Sequence, residues 1–360
     1  MRKTLLFAAL TVAVAAVAVP AAASAADTAR GAVYTLTNSA SGNAVAAFAR
    51  AADGSLTPTA TYATGGLGTG ANLGSQGALA LSDNGKRLFA VNAGSNSISE
   101  LAVRNDGLEL VTTFDSNGVL PISIALHKNL LYVLDAGSAS ITGFRVDGVG
   151  RVAAIDGSTQ PLLGSSPAQV AFSPDGSVLA VTEKGSRTID TFAVDNGGRA
   201  QPGVSSPSAG VTPFGFAFDA LGRAYVSEAG GSASSYAVDD AGAHVITSAA
   251  ATHQGAPCWL VVTPDGRYAY TANAGSATIS GFSIGADGSL ALLDPSGASA
   301  TLGAGAHPLD EAVSSDGGTL YVLVDGRHTV AGYTIAADGS LSLVDETGAL
   351  PAGTVGLVSG

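Results

Sequence analysis

A short apolar segment that ends in an Asp-Gly or Asn-Gly type turn recurs along this chain about every 45 residues, and this repeat restricts the fold more than any other feature. Pro167–Gly176, Pro213–Gly222 and Pro257–Gly266 align directly. Pro308–Gly317, Pro121–Asn129 and Gln76–Gly85 are looser copies, with glutamine in place of proline in the last. A second apolar run follows each turn: Leu88–Asn92, Leu131–Asp135, Leu179–Glu183, Ala224–Glu228, Ala269–Asn273 and Leu320–Val324. A Gly/Ser turn then leads to a third strand such as Thr278–Ile284, and turns such as Asp53-Gly54, Asp287-Gly288 and Asp338-Gly339 lead to a fourth, more polar one. Four antiparallel strands per repeat are the signature of a propeller blade. No ten-residue stretch after the leader keeps helical periodicity, which excludes α/β folds.

The ends of the repeat predict how the ring closes. Residues from Val33 to about Tyr62 read as strands two to four of a blade without a first strand. The C-terminal segment Pro351–Gly360 reads as a first strand with nothing after it. Pairing the two completes a seventh blade. The expected fold is therefore all-β: a seven-bladed β-propeller of four-stranded antiparallel blades, closed by the N- and C-terminal segments, with residues 26–360 as one domain.

Composition supports a packed core and narrows the partners. Hydrophobic residues make up 46% of the chain, which excludes intrinsic disorder. The 28 acidic residues outnumber 16 basic ones, so nothing here neutralises a phosphate backbone, and nucleic acid is not an expected partner. Arg2 and Lys3, an apolar run from Leu5 to Val19 and the Ala23-Ser24-Ala25 site read as a secretory signal peptide over residues 1–25. The mature chain is expected to be secreted, off the membrane and monomeric. Cys258 is the only cysteine, so no intramolecular disulfide is available, and its place between Pro257 and Trp259 reads as a buried, inert thiol.

In a propeller, the starts of the first strands and the ends of the second strands meet on one face around the central channel. The strand-two ends place Asn92, Asp135, Glu183, Glu228 and Asn273 there. The strand-one starts add Gln169, Trp259, Asp310 and Glu311, with His307 just before Pro308. Lys184, Arg187 and Arg327 are the basic residues of this rim. A carboxylate such as Glu183 or Glu228, partly desolvated at the mouth, can act as a base, with His307 as a further acid or base. The alternative is a polar cap that accepts N–H bonds from the following turn. Lys184, Arg187 and Arg327 suit an anionic ligand. The oxygen donors Asp135, Glu183, Glu228, Asn92 and Asn273 are of the type a Ca²⁺ ion at the mouth takes, although a 45-residue spacing is no ligand motif, and no cofactor is otherwise expected. Gly66-Leu67-Gly68-Thr69-Gly70 opens no helix and is not a phosphate loop.

The Pro-x-x-apolar-x-Phe-x-Pro-Asp-Gly strand and the Ala/Leu-Tyr-Val segment after it resemble the seven-bladed lactonase family, which includes 6-phosphogluconolactonases and carboxymuconate cyclases. They also resemble the Tyr-Val-Thr-Asn repeat propellers. The resemblance implies lactone ring opening at the channel mouth, by histidine or Arg-His just after the strand-one proline and Asn-Glu at the end of strand two. Here the residues after the prolines include Ala168-Gln169, Phe214-Gly215, Cys258-Trp259 and Leu309-Asp310, and the glutamate stands in Thr182-Glu183-Lys184. Two readings follow. One is a hydrolase for a small lactone or sugar-derived substrate, with Glu183, Glu228 and His307 catalytic and Asp135, Lys184, Arg187, Asn92, Asn273, Trp259 and Arg327 binding the substrate. The other is a non-catalytic module that recognises a small polar ligand or an extracellular partner.

Overall fold

The computed structural model describes residues 31–360 apart from residue 149. The leader read over 1–25 lies outside the described residues. Seven sheets form the ring, each ordered by sequence from the axis outward, except the blade in which the chain ends meet. That composite blade, blade 1, runs from Val355–Ser359 innermost through Ala32–Leu36 and Ala44–Arg50 to Leu56–Ala63. Register pairs Val33 with Ser359, Tyr34 with Val358 and Thr35 with Leu357, and the Thr35 hydroxyl donates to the Gly356 carbonyl at 2.6 Å. Backbone hydrogen bonds thus join the first and last strands, as the repeat predicts.

Blades 2 to 7 have innermost strands Leu79–Leu81, Pro121–His127, Pro167–Phe172, Pro213–Phe218, Pro257–Val262 and Pro308–Val313. Their second strands are Arg87–Asn92, Leu130–Asp135, Val178–Glu183, Arg223–Glu228, Tyr268–Asn273 and Thr319–Val324. The fourth strand is irregular in two blades. Val152–Ala154 and Gln160–Pro161 share the edge of blade 3, and Leu290–Leu292 and Ala300–Thr301 that of blade 6. In blade 2 the first strand begins at Leu79, so Gln76 precedes the sheet instead of opening it.

The repeated tyrosine of strand two has a physical task. In blades 3, 6 and 7 its ring is buried between blades while its hydroxyl reaches the Asp-Gly or Gly-Gly turn of the next blade; in blade 5 Tyr225 donates instead to Asp219 of its own hairpin turn. Tyr132 donates to the Gly198 carbonyl, Tyr270 to Gly339 and Tyr321 to Gly54, each at 2.8 Å. The aromatic body supplies apolar burial, and the polar tip satisfies a turn carbonyl that would otherwise be unpaired. Blade contact and turn chemistry are thereby linked in one repeat unit.

Candidate functional site

The first strand of each blade meets the channel edge-on, and side chains on every strand alternate between the preceding and the following blade. The last residue of strand two therefore points into a seam between blades. Asn92, Asp135, Glu183, Glu228 and Asn273 are all fully buried there. Each meets hydroxyls of its own third strand, the crossover that enters its blade, or both. Asn92 donates to Ser99 at 2.8 Å and accepts from Asn43 and Thr64 at 3.0 and 2.7 Å. Asn273 donates to Thr278 and Ser280 at 3.0 and 2.9 Å.

Glu228 is saturated. Its carboxylate accepts from Ser208, Ser232 and Ser234 and from the Gly210 amide, at 3.1, 2.5, 2.7 and 2.8 Å. The crossover passes so close that a Cβ on Gly210 would lie 1.9 Å from the Glu228 carboxylate, and one on Gly164 would lie 2.2 Å from that of Glu183. The cap reading held that these groups bind the turn that follows; the larger share of the bonding is to the crossover and the third strand.

Blade 4 departs from this pattern. Where blades 2, 3, 5 and 6 carry Ser99, Thr142, Ser234 and Ser280 on the third strand, it carries Asp190, buried beside Glu183. Burial, then the Asp190 carboxyl, pushes Glu183 up to about 8. Asp135, with Ser116 as its hydrogen-bonding relief, is pushed up to about 6 by burial.

The other rim residues divide between a plug and the exposed loops. The segment around Ser75 and Gln76 crosses the upper end of the channel. The Ser75 hydroxyl donates to the Ile122 carbonyl of blade 3 at 2.9 Å, and the Gln76 amide nitrogen to Ala168 of blade 4 at 3.1 Å. The Gln76 side chain makes a paired bond with the Leu260 backbone of blade 6, and the Trp259 indole donates to the Ser75 carbonyl at 3.0 Å. Phe214 packs on Trp259 with ring centroids 4.9 Å apart. Lys184 lies 4.8 Å above the Phe214 ring and donates to the Gly74 carbonyl, and burial lowers its pKa. Cys258 is buried below, its thiol pushed up to about 12 by burial. Arg187, Arg327 and His307 are exposed. Arg327 pairs with Glu346 at 2.6 Å, and His307 Nδ1 lies 3.6 Å from Asp325. Among the described residues no three His, Cys, Asp or Glu side chains gather as a metal-ligand set, and the five strand-two donors sit in separate seams.

Below the plug the channel holds a cavity of about 280 Å³, lined by Gln76, Gln169, Asp310, Glu311 and apolar residues of the innermost strands down to Phe172 and Val358. Gln169 is committed to the next blade, its side chain pairing with the Phe216 amide and carbonyl at 2.7 and 2.9 Å. Asp310 and Glu311 are only 3% and 2% exposed. Asp310 Oδ1 accepts the Glu311 amide at 3.2 Å, whereas Asp310 Oδ2 and both Glu311 carboxylate oxygens lack a well-formed hydrogen bond. Burial pushes Asp310 up to about 8, and burial followed by the Asp310 charge pushes Glu311 well above its usual range. The sequence carried one sign of this pair. Where blades 3 to 6 place Ile124, Val170, Phe216 and Leu260, blade 7 places Glu311.

The family model described as Lactonase, 7-bladed beta-propeller matches residues 32–160 and 223–311. No curated protein matches the sequence. Among solved structures, a Bacteroides fragilis protein provisionally assigned as a 6-phosphogluconolactonase is 20% identical, with a TM-score of 0.74 over 92% of this chain and 98% of that one. The periplasmic gluconolactonase PpgL of Pseudomonas aeruginosa is 18% identical, with a TM-score of 0.70 over 90% and 98%. A Lactobacillus plantarum protein is 17% identical, with a TM-score of 0.75 over 91% and 98%. At these identities the likeness is one of fold.

Proposed function

Since the chain belongs to the seven-bladed β-propeller lactonase family, we propose that it opens the ring of a small lactone or sugar-derived substrate in the central channel, outside the cytoplasm after removal of residues 1–25. One observation carries this reading: two buried carboxyl groups, with three oxygens that lack a well-formed hydrogen bond, line one cavity in the channel. Buried polar groups are ordinarily hydrogen-bonded, and unsatisfied ones cluster where a ligand completes them. In the reaction, water attacks the lactone carbonyl carbon while one carboxylate of the Asp310–Glu311 pair takes its proton. The bond from that carbon to the ring oxygen breaks, and the neutral partner carboxyl protonates the leaving oxygen to give the hydroxy acid.

A pH-indicator assay over a lactone panel tests the proposal. Asp310→Asn and Glu311→Gln are each expected to lower turnover at least ~100-fold, from the usual worth of a general acid or base, while Glu183→Gln retains it. Turnover lost in Glu183→Gln but kept in Asp310→Asn would move the chemistry to the upper seam. The plug favours a second reading, because a channel sealed by Gln76 and Trp259 suits a recognition surface. A complete absence of lactone turnover would select it.

A further inference from the structure

The Asp310–Glu311 cavity has a charge problem that ring opening does not address. Its lining contains two carboxyl groups and no lysine, arginine or histidine. The basic groups nearest in sequence are engaged elsewhere: Arg327 with Glu346 at the rim, and His307 beside Asp325. Two buried acids elsewhere have their compensation built in, whereas Asp135, whose two oxygens also lack a well-formed hydrogen bond, lies apart in its own seam at the end of strand two. Glu228 has its serine hydroxyls, and Asp219 accepts from Arg223 and Tyr225 at 2.7 and 2.9 Å. Asp310 and Glu311 have neither a cation nor a sufficient set of donors. Burying carboxyl groups in this state is costly unless something else occupies the space.

We propose that the central cavity binds one divalent, oxygen-seeking cation, held by the carboxylates of Asp310 and Glu311 and completed by water. The donor chemistry fits: Ca²⁺ takes six to eight oxygen ligands in loose geometry, and carboxylates with free oxygens are its preferred anchors. The space fits as well. At roughly 30 Å³ per water, about 280 Å³ accommodates an ion and several of its waters. The glutamine amides are committed to backbone, so the two carboxylates are the protein's only charged contribution. An acidic chain, with a net charge of −12, also raises the local concentration of cations at its openings. This proposal uses the same cavity as the ring-opening reading but does not need turnover.

The test is calorimetric titration of chelator-treated protein with CaCl₂, repeated with MgCl₂, on the wild type and on Asp310→Asn and Glu311→Gln. One site per chain is expected, with Ca²⁺ affinity weakened at least ten-fold in each variant. Binding of several weak ions, unaltered by the substitutions, would mean that only the acidic surface turns take up cations and would overturn the proposal. So would the absence of any binding. Terbium luminescence excited through Trp259, the single tryptophan, whose indole helps close the upper end of this channel, needs no variant. Sensitised emission displaced by Ca²⁺ supports the site, and no sensitised emission overturns it. Cation binding without lactone turnover leaves this inference standing and removes the ring-opening one. Turnover that survives chelation, in protein that binds no cation, does the reverse.

Discussion

The plug depends on one vacancy in blade 5, and filling that vacancy should show how the channel is sealed. In blade 4 the second residue after the strand-one proline is Gln169, whose side chain satisfies the Phe216 amide of the next blade. The same position in blade 5 is Gly215, which has no side chain to serve the Leu260 amide of blade 6. Gln76 does this instead from across the channel, donating to the Leu260 carbonyl at 2.8 Å and accepting its amide at 3.0 Å. A Cβ at Gly215 would stand 2.0 Å from Gln76 Oε1 and 2.9 Å from the Cys258 carbonyl. Gly215→Ala must therefore expel the glutamine. Two lost hydrogen bonds and a buried, unsatisfied Leu260 amide put the cost of Gln76→Ala at about 3 kcal/mol. Gly215→Ala adds a backbone contact that has to relax, for about 4 kcal/mol in all. Because both changes remove the same bonds, the double variant should also lose about 4 kcal/mol, far from the ~7 of independent sites. Urea titrations of the four proteins measure this directly. Additive costs would refute the argument, since they would mean that Gln76 and Gly215 do not compete for one place.

Three further outcomes are expected. Glu183 keeps in the folded state a proton that the unfolded chain releases near 4.5, so stability should fall as pH rises from about 4.5 towards 8, and Glu183→Gln or Asp190→Ser should flatten that fall in thermal melts. Asn92→Ala removes the group that joins Asn43, Thr64 and Ser99 across the seam of blades 1 and 2, leaving buried partners unpaired, and should cost roughly 2–4 kcal/mol by chemical denaturation. Deleting Val355–Ser359 takes the innermost strand from blade 1 and bares the edge of Ala32–Leu36, so gel filtration should show aggregation or strand exchange that the intact protein does not.

The ring was legible because its determinants are local and repeated. A proline, an apolar strand and an Asp-Gly turn mark each inner hairpin, and the unmatched segments Val33–Tyr62 and Pro351–Gly360 show how the circle closes. The tyrosine of strand two was legible as a pattern but not as a contact, because its partner carbonyl lies in the next blade, 66 residues away for Tyr132, 69 for Tyr270 and 267 for Tyr321. The irregular outer strands of blades 3 and 6 were not legible. Edge strands obey weak constraints, and turns such as Asp294–Gly297 interrupt the sheet without disturbing the core.

The candidate site was the harder reading, and period-two geometry explains why. Locating the strand-two ends on the upper rim identifies the height of Glu183 and Glu228 but not the direction of their side chains. A strand that stands radially in a propeller turns its side chains towards its neighbouring blades. Only backbone edges and the side chains that reach past the innermost strand meet the axis. Those reaching side chains belong to the residues two and three places after the strand-one proline, where the blades differ most: Ser123-Ile124, Gln169-Val170, Gly215-Phe216, Trp259-Leu260 and Asp310-Glu311. The repeat that reveals the fold is the part of the sequence that the blades share, whereas a site on the symmetry axis must be built from positions where they do not. In this chain the departure that matters most is an acid at a position that blades 3 to 6 keep apolar.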